Sequence, residues 1–387
     1  MKYISFFILL TAFFLISCEK EIDFKGKEEA PRMVLNTIIN PNSCIKVFLS
    51  ESQFFLSTNI YYKNINYAKI YVWRNGEMIE ELIFDGKMTY TGNFIPSIGD
   101  KIKITAEHPD YPSVESEETE IPATVPLITI DTVDFKYYGI EYESHPARYI
   151  DDDTVIYIHY DTTRLDTMYR MIMHSKVKIT FNDPERIKNH YRIFVGVDDK
   201  YVGERTGRLE QSNSVFCYSN DLVFSNSNMG LASTSLYNEF SDLLFDGETY
   251  TLTLCFYVEK LYVKNDTLSY YNNIPDEREI TVRLESICES NYKYFSSLSL
   301  LGITGNGPFS EPVQIYSNIK GGMGIVGSYS VFRSTIELPQ WEKINQDEYR
   351  ERRNRDYDAF WRMYDRYGLG TFYAPYGYET YYYYNSN

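Results

Sequence analysis

The side chains able to do chemistry are few and scattered. The five histidines, His108, His145, His159, His174 and His190, form no HExxH and no pair at the helical spacing of a zinc site. No GxSxG elbow presents a serine, and no cysteine lies in a protease-like setting. Asp151, Asp152 and Asp153 offer oxygen ligands for Ca²⁺, but the spaced carboxylates and glycine of a calcium loop are missing, so the run reads as a solvated acidic loop. Gly322-Met323-Gly324-Ile325-Val326-Gly327 is formally a GxGxxG. A dinucleotide site needs that turn before a helix, whereas here the alternating SYSVFRSTIEL follows, so the glycines are expected to allow a tight turn or a close backbone crossing. The patterns therefore point to no catalytic residue, no metal and no cofactor, and the chain reads as a non-enzyme. Paired carboxylates converging from distant positions, as in glycoside hydrolysis, would escape such a reading.

The thiol with a definite expectation is Cys18. Residues 1–17, MKYISFFILLTAFFLIS, place one early positive charge at Lys2 before an apolar run, the layout of a signal peptide. A spanning helix needs about 20 apolar residues, and this run is shorter. Leu15-Ile16-Ser17-Cys18 resembles a bacterial lipobox, in which the cysteine thiol forms a thioether to a lipid and becomes the first residue of the mature chain. That makes Cys18 the expected lipid attachment site of an acylated (palmitate-bearing) lipoprotein. The charged stretch that follows, residues 18–30, reads as a tether, and Glu19-Lys20-Glu21 resembles the signals that send Bacteroidetes lipoproteins to the outer cell surface.

Composition narrows the partners. A formal charge of −16 argues against nucleic acid and against an anionic lipid surface, so membrane association must come from the anchor. The chain holds 38 tyrosines, which suit half-buried strand positions. Four further cysteines, Cys44, Cys217, Cys255 and Cys288, form no framework; Cys255 with Cys288 is the expected pair, with buried free thiols as the alternative.

The elements that must position any site read as mainly β. Residues 31–126 alternate in short strands, with Asn75-Gly76 and Asp85-Gly86 turns and Ile102, Ile104 and Ala106 on one face, the pattern of an immunoglobulin-like β-sandwich. Pro122 and Pro126 mark its boundary. Residues 127–334 read as a second, larger β-rich, sandwich-like domain, with one short helix from Cys288 presenting Tyr292, Phe295, Leu298 and Leu301. Residues 335–387 form a charged and Tyr-rich extension. In it, 339–366 suits a helix with a thin apolar stripe, and the last stretch is an irregular tail.

Several phrases together carry a resemblance: ITFNDPERIKNHYRIFVGV, FSDLLFDGETYTLTL, ITVRLESICESNYKYFSSLSL and PFSEPVQIYSNIKGGMGIVGSYSV. With the lipobox, they look like the Bacteroidetes lipoproteins grouped as domain-of-unknown-function family 4249, over roughly residues 18–334. The resemblance implies a sandwich followed by a β-rich domain, and a role beside TonB-dependent outer-membrane transporters. On that basis the expected protein is an outer-membrane lipoprotein, lipid-anchored and facing the cell exterior. It would be a non-catalytic accessory or ligand-capture subunit of a TonB-dependent nutrient uptake system, with a nutrient ligand that the sequence does not identify. A surface adhesin or structural module is the alternative, and a surface hydrolase a third. Any binding site is expected around Asn318 to Gly324 and Pro308 to Pro312.

Overall fold

The computed structural model describes residues 30–53, 63–86, 89–144, 147–152, 155–160, 166–203, 207–215, 217–219, 221–224, 238–263, 277–304, 313–366 and 382–384. Cys18, residues 19–29 of the tether, His145, Asp153 and Pro308 to Pro312 lie outside them. Eight strands begin the fold: β1 (Met33–Ile39), β2 (Lys46–Glu51), β3 (Lys69–Arg74), β4 (Glu77–Phe84), β5 (Thr89–Thr91), β6 (Lys101–His108), β7 (Tyr111–Ser116) and β8 (Thr119–Glu120). Four of these strands alternate, and their apolar sets turn to one side: Met33 and Leu35 of β1, Val47 and Leu49 of β2, Ile70 and Val72 of β3, and Ile102, Ile104 and Ala106 of β6 share one core. The expected Asn75-Gly76 turn joins β3 to β4 with both residues at positive φ. β4 serves both layers, pairing with β3 along most of its length and with β5 through Ile83 and Phe84.

The second half contributes β9 (Leu127–Ser144), β10 (Ala147–Asp152), β11 (Val155–Tyr160), β12 (Asp166–Asn182), β13 (His190–Gly203), β14 (Gly207–Val215), β15 (Cys217–Tyr218), β16 (Glu239–Ser241), β17 (Thr249–Val263) and β18 (Glu277–Ile287). Here β13 and β18, in one sheet, face β12 and β17, which lie in a second sheet of five strands with β15 beside β17 and β9 beside β12. Phe181, Tyr191, Ile193, Leu252, Phe256, Val282 and Leu284 fill the space between. Asp151 and Asp152, expected in a loop, instead end β10, where they pair with β11.

The chain closes with α1 (Glu289–Thr304), β19 (Ile319–Lys320), β20 (Met323–Glu337), β21 (Glu342–Lys343), α2 (Gln346–Arg366) and β22 (Tyr382–Tyr384). β20 joins the two halves: residues 323–328 run parallel to β1, and residues 329–337 run antiparallel to β18. β19 adds to β7. The first sandwich is therefore completed by residues 318–328, which return to it from far along the chain, rather than by residues 31–126 alone. Because β20 is shared, one sheet of 15 strands runs through both sandwich-like units.

The helix from Cys288 forms, but of the expected face Tyr292, Phe295, Leu298 and Leu301 only Phe295 is fully buried. Its buried positions are Asn291, Phe295 and Ser299, at i, i+4 and i+8, while Leu301 is exposed. Both buried polar side chains make a hydrogen bond: Asn291 Nδ2 donates to the Ser328 carbonyl at 3.0 Å, and Ser299 Oγ to Glu239 Oε1 at 2.9 Å. A search for apolar spacing passes over such a face. The helix expected within 339–366 also forms, as α2, so the described residues carry two α-helices where the fold expectation named one short helix. It docks on the outer face of the five-stranded sheet, where Ile344 and Tyr349 pack against Tyr138, Ile140 and Ile172. No helix among the described residues is long and apolar enough to cross a membrane.

Candidate functional site

The glycine-rich segment singled out in the sequence is a backbone crossing. A Cβ on Gly322 would come 2.4 Å from the Met33 carbonyl oxygen, one on Gly324 would come 2.1 Å from that of Leu35, and one on Gly327 would come 1.7 Å from Asn291 Oδ1. These contacts let β20 lie against β1 and α1, and a strand rather than a helix follows, as the mechanical reading anticipates. Asn318, buried beside it, bonds both backbone groups of Val326. Lys320 and Gly321, in the same segment, form one wall of a surface groove of about 800 Å³ on the first sandwich.

Alternation builds that groove. Sending Ile70 and Val72 into the core turns Tyr71 and Trp73 outward; on β6 the same constraint turns Lys103, Thr105 and Glu107 outward, and on β7 Ser113 and Glu115. The register then aligns a row across four strands, Tyr71 opposite Thr105, Thr105 opposite Glu115, and Glu115 opposite Lys320. Trp73 lies opposite Lys103 in the neighbouring row. Trp73 Nε1 donates to Thr105 Oγ1 at 3.1 Å, and the Lys103 ammonium sits 4.9 Å from the indole centroid and 3.3 Å from Glu115 Oε1. An exposed ion pair of this kind is worth at most about 1 kcal/mol, so its effect is to fix the indole rather than to stabilise the fold. The volume suits a small ligand, and the lining combines aromatic surface with hydroxyl, ammonium and carboxylate groups. The inward residues of β6 were legible in the sequence, and their outward complement is the signal that would have found the groove.

Other chemistry-bearing groups are engaged elsewhere. Two of the resembling phrases meet where Asp183, Asp242 and Asp246 bring carboxylate oxygens within 4.8 Å of one another. Asp183 accepts from the Tyr191 hydroxyl and from the Gly247 N–H, and Asp242 accepts from the Asn189 N–H. Burial pushes the Asp242 carboxyl above its ordinary range, and the hydrogen bonds of Asp183 and Asp242 tie the two segments together. Asp199, buried between the sheets, accepts from Arg278 Nε at 2.6 Å and Lys260 Nζ at 2.9 Å, while Arg278 Nη1 donates to the Tyr137 hydroxyl at 2.7 Å. The described histidines do not converge: His190 packs against Tyr292 with centroids 4.4 Å apart and the rings tilted by 34°, and burial lowers its pKa to about 4.

The expected Cys255–Cys288 disulfide is not formed. Cys44, Cys217, Cys255 and Cys288 are all free thiols. Cys255 lies on β17 of the five-stranded sheet, whereas Cys288 follows β18 of the other sheet, where its Sγ accepts from the Asn291 and Ser328 amides. Strands close in sequence proved to be in opposite layers. Cys217 and Cys255 are on paired strands, but Cys217 is opposite Phe256, one place out of register, which turns the two thiols to opposite faces.

Residues 19–335 match the family described as Domain of unknown function (DUF4249), and the chain belongs to that family. No curated protein and no solved structure matches it.

Proposed function

We propose that the protein is a lipid-anchored lipoprotein of the outer membrane, exposed at the cell surface. In this reading it captures a ligand without transforming it, as the accessory subunit of a TonB-dependent uptake system. The observation that carries the capture role is the row Tyr71, Thr105, Glu115 and Lys320 beside the pinned indole of Trp73. These groups are suited to stacking and hydrogen bonding. The anchor rests on Leu15-Ile16-Ser17-Cys18 and the charged sequel.

The placement of the groove supports transfer to a membrane partner. Gly322 abuts the carbonyl of Met33, the first residue of β1, so the Lys320–Gly321 wall stands beside the point where the tether enters the fold. Residues 19–32 between Cys18 and β1 reach at most about 50 Å when extended. An anchored protein would thus keep the groove close to the membrane surface.

Replacing Cys18 with Ala tests the anchor. The variant should leave the outer-membrane fraction, and its retention there contradicts the proposal. Trp73→Ala in the anchored protein should leave location unchanged and weaken capture tenfold or more.

A further inference from the structure

We infer that the groove is a saccharide subsite, taking a nonionic oligosaccharide whose sugar C–H faces lie on Trp73 and Tyr71 and whose hydroxyls meet Ser113, Thr105, Glu115 and Lys320. This rests on reading the groove as a ligand site and adds the ligand's chemical class.

Three properties select that class. Tyr71 and Trp73 are two residues apart on one strand, so their side chains leave the sheet about 7 Å apart on the same face and give a stacking surface longer than one ring. The indole is held by Thr105 and Lys103 before any ligand arrives, which lowers the ordering cost of binding. Charges in the lining balance, with ammonium groups at Lys103 and Lys320 and carboxylates at Glu107 and Glu115. A polyanion would meet no net positive field, and the −16 charge of the chain would repel it.

Competing classes fit less well. An extended peptide added to the sheet needs an unpaired strand edge, whereas the groove floor is a sheet face whose β3, β6 and β7 backbones already pair with one another. An acyl chain would have to cover four charged side chains, at a cost its own surface could not offset.

The test uses the full lipoprotein in detergent on an array of neutral and acidic glycans, followed by calorimetric titration of the neutral oligosaccharides retained. At least one neutral oligosaccharide should bind. Trp73→Ala should weaken it tenfold or more, and Trp73→Phe, which keeps an aromatic face, should weaken it less. Phe48→Ala, an exposed change on β2 outside the groove, should leave it unaltered and serves as the folding control. Pelleting with the corresponding insoluble polymer separates recognition of free oligosaccharide from recognition of a polymer surface. Retention of no neutral glycan, binding of acidic glycans alone, or full affinity in a folded Trp73→Ala protein overturns the proposal. Such a failure with transporter association intact would overturn the ligand class and leave the accessory role standing.

Discussion

Asn318 grips Val326 by both of its backbone groups: its Nδ2 donates to the Val326 carbonyl at 2.8 Å, and its Oδ1 accepts from the Val326 N–H at 3.0 Å. Both residues are buried, and Thr119 Oγ1 donates to the same carbonyl at 2.9 Å. This clasp holds the return of β20 to the first sandwich. Asn318→Ala leaves a buried N–H without that partner and should destabilise the protein by about 2 kcal/mol, measured by urea denaturation. An unchanged midpoint would show that the clasp is not needed for β20 to dock.

Gly324 separates two effects of glycine. Its φ is 116°, and a Cβ would meet the Leu35 carbonyl at 2.1 Å, whereas Gly99 has a φ of 85° with nothing within 4 Å. Gly99→Ala should cost about 1 kcal/mol through backbone strain alone. Gly324→Ala must also push β20 off β1, and should cost about 3 kcal/mol or more. Equal losses in thermal or urea unfolding would contradict the crossing.

Much of the fold was legible because sandwich strands must alternate. The inward set of β6 and the Asn75-Gly76 hairpin could be read directly from the sequence. The return of β20 could not, because its partner β1 lies nearly three hundred residues away and no local pattern encodes a parallel neighbour. For the same reason Cys255 and Cys288 looked adjacent and are not. The groove was half legible: Asn318 to Gly324 directed attention to its wall, but Tyr71, Trp73 and Lys103 become a site only once the register of β3 and β6 is known. The buried face of α1 was hidden because Asn291 and Ser299 are polar residues whose partners come from β20 and β16.

His190 should make the second sandwich acid-sensitive. It is buried against Tyr292, and burial lowers its pKa from 6.5 to about 4. Between those values the unfolded chain takes up a proton that the folded chain refuses, so stability falls as the pH drops through this window. The contribution lost by about pH 4.5 is roughly 2–3 kcal/mol. His190→Phe should flatten this limb relative to the unmodified protein, measured as the difference in urea stability between neutral and acidic buffer. Parallel pH profiles would contradict it.

Asp356 should govern the docking of α2. It is 1% exposed and accepts from Lys136 Nζ and from the Tyr138 hydroxyl, each at 2.7 Å. Burial opposes its ionisation, yet these two partners hold its pKa below the ordinary value. Asp356→Ala strands the buried Tyr138 hydroxyl and should weaken docking by about 2 kcal/mol. Amide hydrogen exchange should quicken in α2 while β12 and β17 stay protected. Unchanged protection in α2 would show that Ile344 and Tyr349 suffice.

The proposed accessory role is tested most directly by isolating the native protein from detergent-solubilised outer membranes and identifying what accompanies it. A TonB-dependent transporter should accompany the protein at near-equal amount, and that association should be lost when Cys18 is replaced with Ala. Recovery of the protein from that fraction with no transporter would contradict the proposal.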